Sequence, residues 1–243
     1  MTAHTLRFLP ALALLGLQAL LAGCAVADAS RPATATVSVD LTELLPPPPA
    51  PGSAADREDL DAVIRTQAAR TPASIAAAKA DALVTVFRFD DVLGPAFTAS
   101  RLPRTTAFFR KAALESTAIG RRAKDYWNRP RPYRASERVT SIVGVSTDGS
   151  YPSGHAMYGC MAAVLLGLMV PEQRTALLER GSAYARNRVV GGVHYPTDVE
   201  AGCTAGRIVA AVFLQSPEFR AELATARDET RQVLGLAALA GTD

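Results

Sequence analysis

The chain has 243 residues, 49% of them hydrophobic and 20% charged, with 26 basic residues against 23 acidic ones and a formal charge of +3. That length holds one domain, or two small ones, with a sizeable core, and the apolar content excludes a wholly disordered chain. The near balance of charge argues against a nucleic-acid binder, and three cysteines are too few for a disulfide-built scaffold.

Residues 1–23 read as an export signal rather than as part of the fold. Arg7 supplies a basic start, and 11–22 is an apolar run broken only by Gln18, too short to span a bilayer. The run ends on Leu21-Ala22-Gly23-Cys24, which resembles a bacterial lipobox and marks Cys24 for lipidation. Ordinary cleavage after Ala25-Val26-Ala27 is the competing reading, and either one exports the protein. Removal of 1–23 takes away Arg7 and His4, so the mature balance is 25 − 23 = +2 and only His155 and His194 remain.

Residues 24–39 are rich in Ala, Ser, Thr and Val and read as a tether. A proline-rich arm over 46–51 follows, either a spacer or a strap packed on the domain. Apolar periodicity then predicts helices over 56–70, 73–92, 105–127, 154–170, 171–191 and 196–214. No alternating strand pattern with hairpin turns is present. The expectation is a single all-α domain over 40–236, with 237–243 as a tail. The apolar stretch 155–169 is too short to cross a membrane and reads as a buried core helix.

Three segments concentrate polar chemistry. They are Lys124-Asp125-Tyr126-Trp127-Asn128-Arg129-Pro130-Arg131-Pro132, then Pro152-Ser153-Gly154-His155, then Asn187-Arg188 with His194 and Asp198. Arginine grips phosphate through paired charged hydrogen bonds, and lysine adds a point charge. Ser153-Gly154 opens an apolar helix, where free backbone N–H groups and the helix dipole attract an anion. His194 and Asp198 lie four residues apart, so the carboxylate can take the imidazole Nδ1–H and free Nε2 for attack.

These blocks resemble the signature of the type-2 phosphatidic acid phosphatase superfamily, K-x6-R-P, P-S-G-H and S-R-x5-H-x3-D. Ten of its eleven fixed positions match, with 19 and 31 residues between blocks. The K-D-Y-W-x-R-P-R-P wording, the proline arm and the signal are most similar to the exported bacterial class A non-specific acid phosphatases. The resemblance covers 40–230 and implies an all-helical bundle of the acid phosphatase and vanadium haloperoxidase type. It implies hydrolysis of phosphate monoesters without metal or cofactor. His194 would be the nucleophile, forming a phosphohistidine, Asp198 its orienting partner, and His155 the general acid and then base. Lys124, Arg131, Ser153, Gly154 and Arg188 would bind the phosphoryl oxygens.

Asn187 departs from the family's serine; it is a candidate support for the phosphate site. With His194 neutral and His155 protonated, a mildly acidic optimum is expected. The alternatives are a vanadate-dependent haloperoxidase and a lipid phosphate phosphatase of the same superfamily. A phosphate-binding lipoprotein without activity is disfavoured by the His-Asp pair.

The expected partners are small-molecule phosphomonoesters, with no nucleic acid and membrane contact by lipid anchor only; homo-oligomerisation stays open. The expected location is the periplasm, on the outer membrane as a lipoprotein. Tyr126 and Trp127 read as core packing, Arg121 and Arg122 as a solvated face, and Arg129 and Arg134 as structural ion-pair formers. Asp148 and Tyr151 fit either the pocket mouth or a surface loop. If their helices are neighbours, as in the family, Cys160 and Cys203 can form a disulfide; buried free thiols are the preferred reading.

Overall fold

A computed structural model of the chain describes Met1 and residues 39–239. The signal over 2–23, His4, Cys24 and nearly all of the tether lie outside the described residues, as do 240–243. The described chain is all-α, and it contains no strand among the described residues. Its helices are α1 (Leu41–Leu44), α2 (Ala54–Ala68), α3 (Pro72–Ala80), α4 (Asp90–Leu93), α5 (Pro103–Trp127), α6 (Pro132–Ala135), α7 (Gly154–Met169), α8 (Arg174–Val190), α9 (Pro196–Phe213) and α10 (Pro217–Val233), with 3₁₀ turns at Val86–Phe89 and Pro171–Gln173. No helix among the described residues is long and apolar enough to cross a membrane.

Helix α7 is the axis of the bundle. It is apolar on nearly every face, and a helix of that kind must be covered on all sides. Helices α8 and α9 flank it, with α5 and α10 beyond. Helix α9 approaches closely through Gly202 and Gly206, where an added Cβ would lie 2.5 Å from the Ser153 carbonyl oxygen and 2.3 Å from that of Met157. Any larger residue would push α9 away and carry Asp198 with it. This closeness also places Cys160 and Cys203 with Cα atoms 5.1 Å apart, joined as a disulfide. The preferred sequence reading of two free thiols is therefore corrected.

Other expectations change. The helix expected over 73–92 breaks at Asp81, which caps α3 and is buried against Arg88, Arg180 and Asn187. A buried carboxylate with those partners outweighs the continuing alanine pattern. Helix α10 was not anticipated. Its Glu229 accepts from the amides of Arg104 and Thr105 at 3.0 and 2.8 Å, capping α5, whose own N-cap Leu102 has no capping side chain.

The proline arm is packed rather than loose. Leu41 and Leu45 are buried in the core, Arg122 pairs with Asp40 at 3.2 Å, and the Tyr151 hydroxyl donates to the Pro46 carbonyl. Tyr126 is exposed, against expectation, while Trp127 packs on the core and meets Tyr151 edge to face.

Candidate active site

Each block of the sequence signature ends at a helix terminus, and the bundle gathers those termini. Lys124 occupies the last turn of α5, which closes on Asn128 in the left-handed region (φ 41°). The loop before α7 lies across this end so closely that a Cβ on Gly149 would sit 2.7 Å from the Lys124 carbonyl oxygen. Lys124 Nζ consequently donates to the Gly149 carbonyl at 2.6 Å and lies 3.4 Å from Asp148. Arg131 precedes α6; its Nη2 donates to Asp148 at 2.7 Å and its Nη1 to the Val193 carbonyl at 3.0 Å.

Ser153 caps α7. Its hydroxyl accepts from the Ala156 amide and its carbonyl from the Met157 amide. The Gly154 and His155 N–H groups are left as the orphan donors of the first turn. Gly154 faces Lys124, whose Cε lies 3.8 Å from the place a Cβ would take. A helix start beside a buried ammonium is a cradle for an anion.

His194 is buried just ahead of α9. Its Nδ1 lies 3.3 Å from Asp198 Oδ2, and its Nε2 lies 3.1 Å from Arg131 Nη1. Arginine only donates and a carboxylate accepts, so the hydrogen belongs on Nδ1 and the lone pair on Nε2. Burial holds His194 well below the ordinary histidine range, and the charges of Lys124, Arg131 and Arg188 add to that. It is neutral, with its Nε2 lone pair available.

Asp198 is fully buried and meets only donors. Oδ2 accepts from the Ser150 hydroxyl and, at 2.9 Å, from the Tyr195 amide, while Oδ1 accepts from Arg129 Nη1 at 2.8 Å. Burial raises its carboxyl, and Arg129, Ser150 and the Tyr195 amide oppose that rise. Arg129 is itself braced by Asp59 at 2.9 Å and Asp56 at 3.0 Å from α2, and its guanidinium stacks 3.9 Å over the Tyr195 ring. Arg129 is thus the buried ion-pair former of the two arginines considered. Arg134 makes only an exposed bond to the Thr147 carbonyl.

His155 lies on the first turn of α7, its Nε2 3.1 Å from the Ala82 carbonyl. Burial pushes it down to about 4, helped by Arg188, Arg131 and Lys124 and opposed by the Ala82 carbonyl. Lys124 is lowered to about 8 by burial and by Arg131. Burial works to raise Asp148, but the Ser146 hydroxyl, Lys124 and Arg131 outweigh it and hold the carboxyl well below its usual range.

Arg188 is the most telling member. It is 3% exposed, its Nε and Nη1 are buried with no hydrogen-bond partner among the described residues, and burial lowers it to about 10. A guanidinium left in that state is expensive unless an anion joins it.

The structure therefore brings Lys124, Arg131, Ser153, Gly154, His155, Arg188, His194 and Asp198 to one end of the bundle. Asn187 differs: its Nδ2 donates to Asp81 at 2.7 Å. Sequence reasoning missed Ser150, Asp59 and Asp81. Ser150 stands within two residues of the Pro152 block, and that adjacency was its only signal. No cluster of three or more His, Cys, Asp and Glu side chains among the described residues is arranged to hold a metal ion.

Residues 107–222 match the family described as the PAP2 superfamily. The non-specific acid phosphatase of Salmonella typhimurium is 30% identical over 201 residues, covering 79% of this chain and 80% of that protein. The acid phosphatase of Zymomonas mobilis is 30% identical over 194 residues, covering 76% and 73%. The non-specific acid phosphatase of Providencia stuartii is 28% identical over 201 residues, covering 79% and 81%. Among solved structures, a bacterial vanadium-dependent iodoperoxidase shares the fold, with a TM-score of 0.54 and 18% identity over 70% of this chain and 52% of its own. The chain belongs to the PAP2 superfamily, among the non-specific acid phosphatases.

Proposed function

We propose that the protein is an exported, metal-independent acid phosphatase that hydrolyses small phosphate monoesters through a phosphohistidine on His194. The observation that carries this reading is Arg188, a buried guanidinium with two nitrogens unpartnered among the described residues, in the shell of cations around a neutral histidine. A phosphoryl group satisfies Arg188, Lys124 and Arg131 together, with the Ser153 hydroxyl and the Gly154 amide closing the cradle.

In the first step His194 Nε2 attacks phosphorus as the ester P–O bond breaks, and His155 gives its proton to the departing oxygen. Arg131 Nη1, which holds the Nε2 lone pair in the free site, turns to the phosphoryl oxygens. The imidazolium formed on His194 is stabilised by Asp198 across Nδ1. In the second step His155 takes a proton from water as its oxygen attacks phosphorus and the P–N bond breaks. Asp198 orients throughout and needs no proton of its own.

The domain over 40–236 carries this chemistry; 1–23 directs export to the periplasm, and Cys24 carries the lipid that anchors the chain to the outer membrane. His194→Ala abolishes turnover of p-nitrophenyl phosphate while inorganic phosphate still raises the melting temperature, because the cradle survives. Substantial hydrolysis by that variant contradicts the assignment.

A further inference from the structure

We propose that Asp81, with Asn187 as its partner on α8, is a positioning residue for His155, setting the turn 81–84 so that the Ala82 carbonyl occupies Nε2 and leaves Nδ1 to carry the proton of the reaction. The inference rests on the role of His155 given above and names the atom and the support that role requires.

The turn is clamped from two sides. Asp81 accepts from Arg180 through both carboxylate oxygens, at 2.7 and 3.0 Å, from Arg88 Nε at 3.0 Å and from Asn187 Nδ2 at 2.7 Å. Two residues on, the Leu83 carbonyl accepts from the Tyr184 hydroxyl at 2.8 Å. Arg180, Tyr184 and Asn187 fall at i, i+4 and i+7 of α8, one stripe of that helix. Between the two anchors lies Ala82, whose carbonyl meets His155 Nε2 at 3.1 Å. Asp81 is 1% exposed, so this clamp is not a solvated surface pairing.

A carbonyl only accepts, so Nε2 carries a hydrogen in both charge states of His155. Nδ1 is then the nitrogen that gains and loses the exchangeable proton. As the phosphoryl group moves to His194 Nε2, the Nδ1 proton passes to the leaving oxygen; as water attacks, Nδ1 takes a proton back and the P–N bond breaks. The charged groups facing His155 are Arg188 of α8, Arg131 and Lys124 of α5, with the neutral His194 beside them. The three cations resist protonation, and the Ala82 carbonyl is the contact that favours it. The asparagine that replaces the family's serine at 187 acts here on the acid, through Asp81.

The test uses the mature chain, whose two histidines keep the spectra simple. Long-range nitrogen–proton NMR at neutral pH should show His155 as the Nε2–H tautomer. Asp81→Asn and Asn187→Ala should each lower kcat on glycerol 2-phosphate, about tenfold or more for the former, while p-nitrophenyl phosphate, whose leaving group needs little protonation, falls less than about threefold. The alkaline limb of kcat should move to lower pH, and inhibition by inorganic phosphate should stay within about twofold. An Nδ1–H tautomer overturns the proposal, as does an equal loss on both substrates with the limb unmoved. If Asp81→Asn does not fold, Asn187→Ala decides by the same readings. A wild-type protein that hydrolyses neither ester refutes the phosphatase reading, whereas the tautomer still decides the positioning of His155.

Discussion

Arg129 Nη1 and Asp198 Oδ1 lie 2.8 Å apart, both side chains buried, beneath the histidine that the carboxylate orients. Removing Arg129 would leave Asp198 as a buried charge without its counter-ion and would free Asp56 and Asp59 as well. Breaking a buried pair from one side typically costs about 3–5 kcal/mol. Arg129→Ala should therefore lower stability by about that amount in urea unfolding and reduce kcat sharply. Arg129→Lys should recover part of the stability but cannot reach three carboxylates at once. Unchanged unfolding would contradict this role.

Asp148 stands where a phosphoryl oxygen would compete with it, 2.7 Å from Arg131 and 3.4 Å from Lys124. Its carboxylate neutralises two cations that a phosphate ligand in the proposed cradle would also meet. Its side chain is 41% exposed, so solvent screens much of the pairing. Asp148→Asn should lower the inhibition constant of inorganic phosphate by about threefold to tenfold, an increment of about 1 kcal/mol. A weaker grip on phosphate in that variant would show that Asp148 aligns Lys124 and Arg131 more than it competes.

The pH dependence follows from the signs. His155 is lowered to about 4 in the free site, so its charged form must be restored by the bound anion or by acid. Lys124, lowered to about 8, loses its charge above that pH and loosens the cradle. Activity should rise from pH 8 to pH 6, and phosphate should raise the melting temperature more at pH 5.5 than at pH 8.5. Without phosphate the sign for stability is the reverse. A histidine lowered on folding stabilises above its unfolded value near 6.5, and that contribution is lost as pH falls toward 4. A melting temperature unaffected over that interval would count against buried, neutral histidines.

The Cys160–Cys203 bond closes a loop with a sequence separation of 43 and ties α7, which carries His155, to α9, which carries Asp198. Loop-closure entropy assigns it about 3–4 kcal/mol. Paired Cys160→Ala and Cys203→Ala substitutions should lower the denaturant midpoint accordingly while kcat at low temperature stays within about twofold, since Gly202 and Gly206 still hold the helices together.

Much of this site is legible in the sequence because its signals are local. The spacing of His194 and Asp198 places a carboxylate one turn from the imidazole, and Ser153-Gly154 ahead of an apolar run marks an anion-binding helix start. What stays illegible is carried by long-range charge. Asp56 and Asp59 read as acids opening a helix, yet they brace Arg129 about 70 residues away. Asp81 looks like a tolerated acid in an alanine-rich helix until α8 supplies Arg180 and Asn187. Helix α10 is faint in the sequence because its buried stripe of Phe219, Leu223 and Ala226 is thin among charges. The disulfide is not legible in the sequence because the approach of α7 and α9 depends on glycines whose effect appears only when the helices pack.

The proposed reaction requires that His194 Nε2 become covalently phosphorylated. Rapid denaturing quench of the protein with phosphorus-labelled p-nitrophenyl phosphate measures this directly. The expected label survives alkali, is lost in acid, maps to the peptide holding His194 and is absent from His194→Ala. Turnover with no trapped label at any time point, or label on another residue, would contradict it.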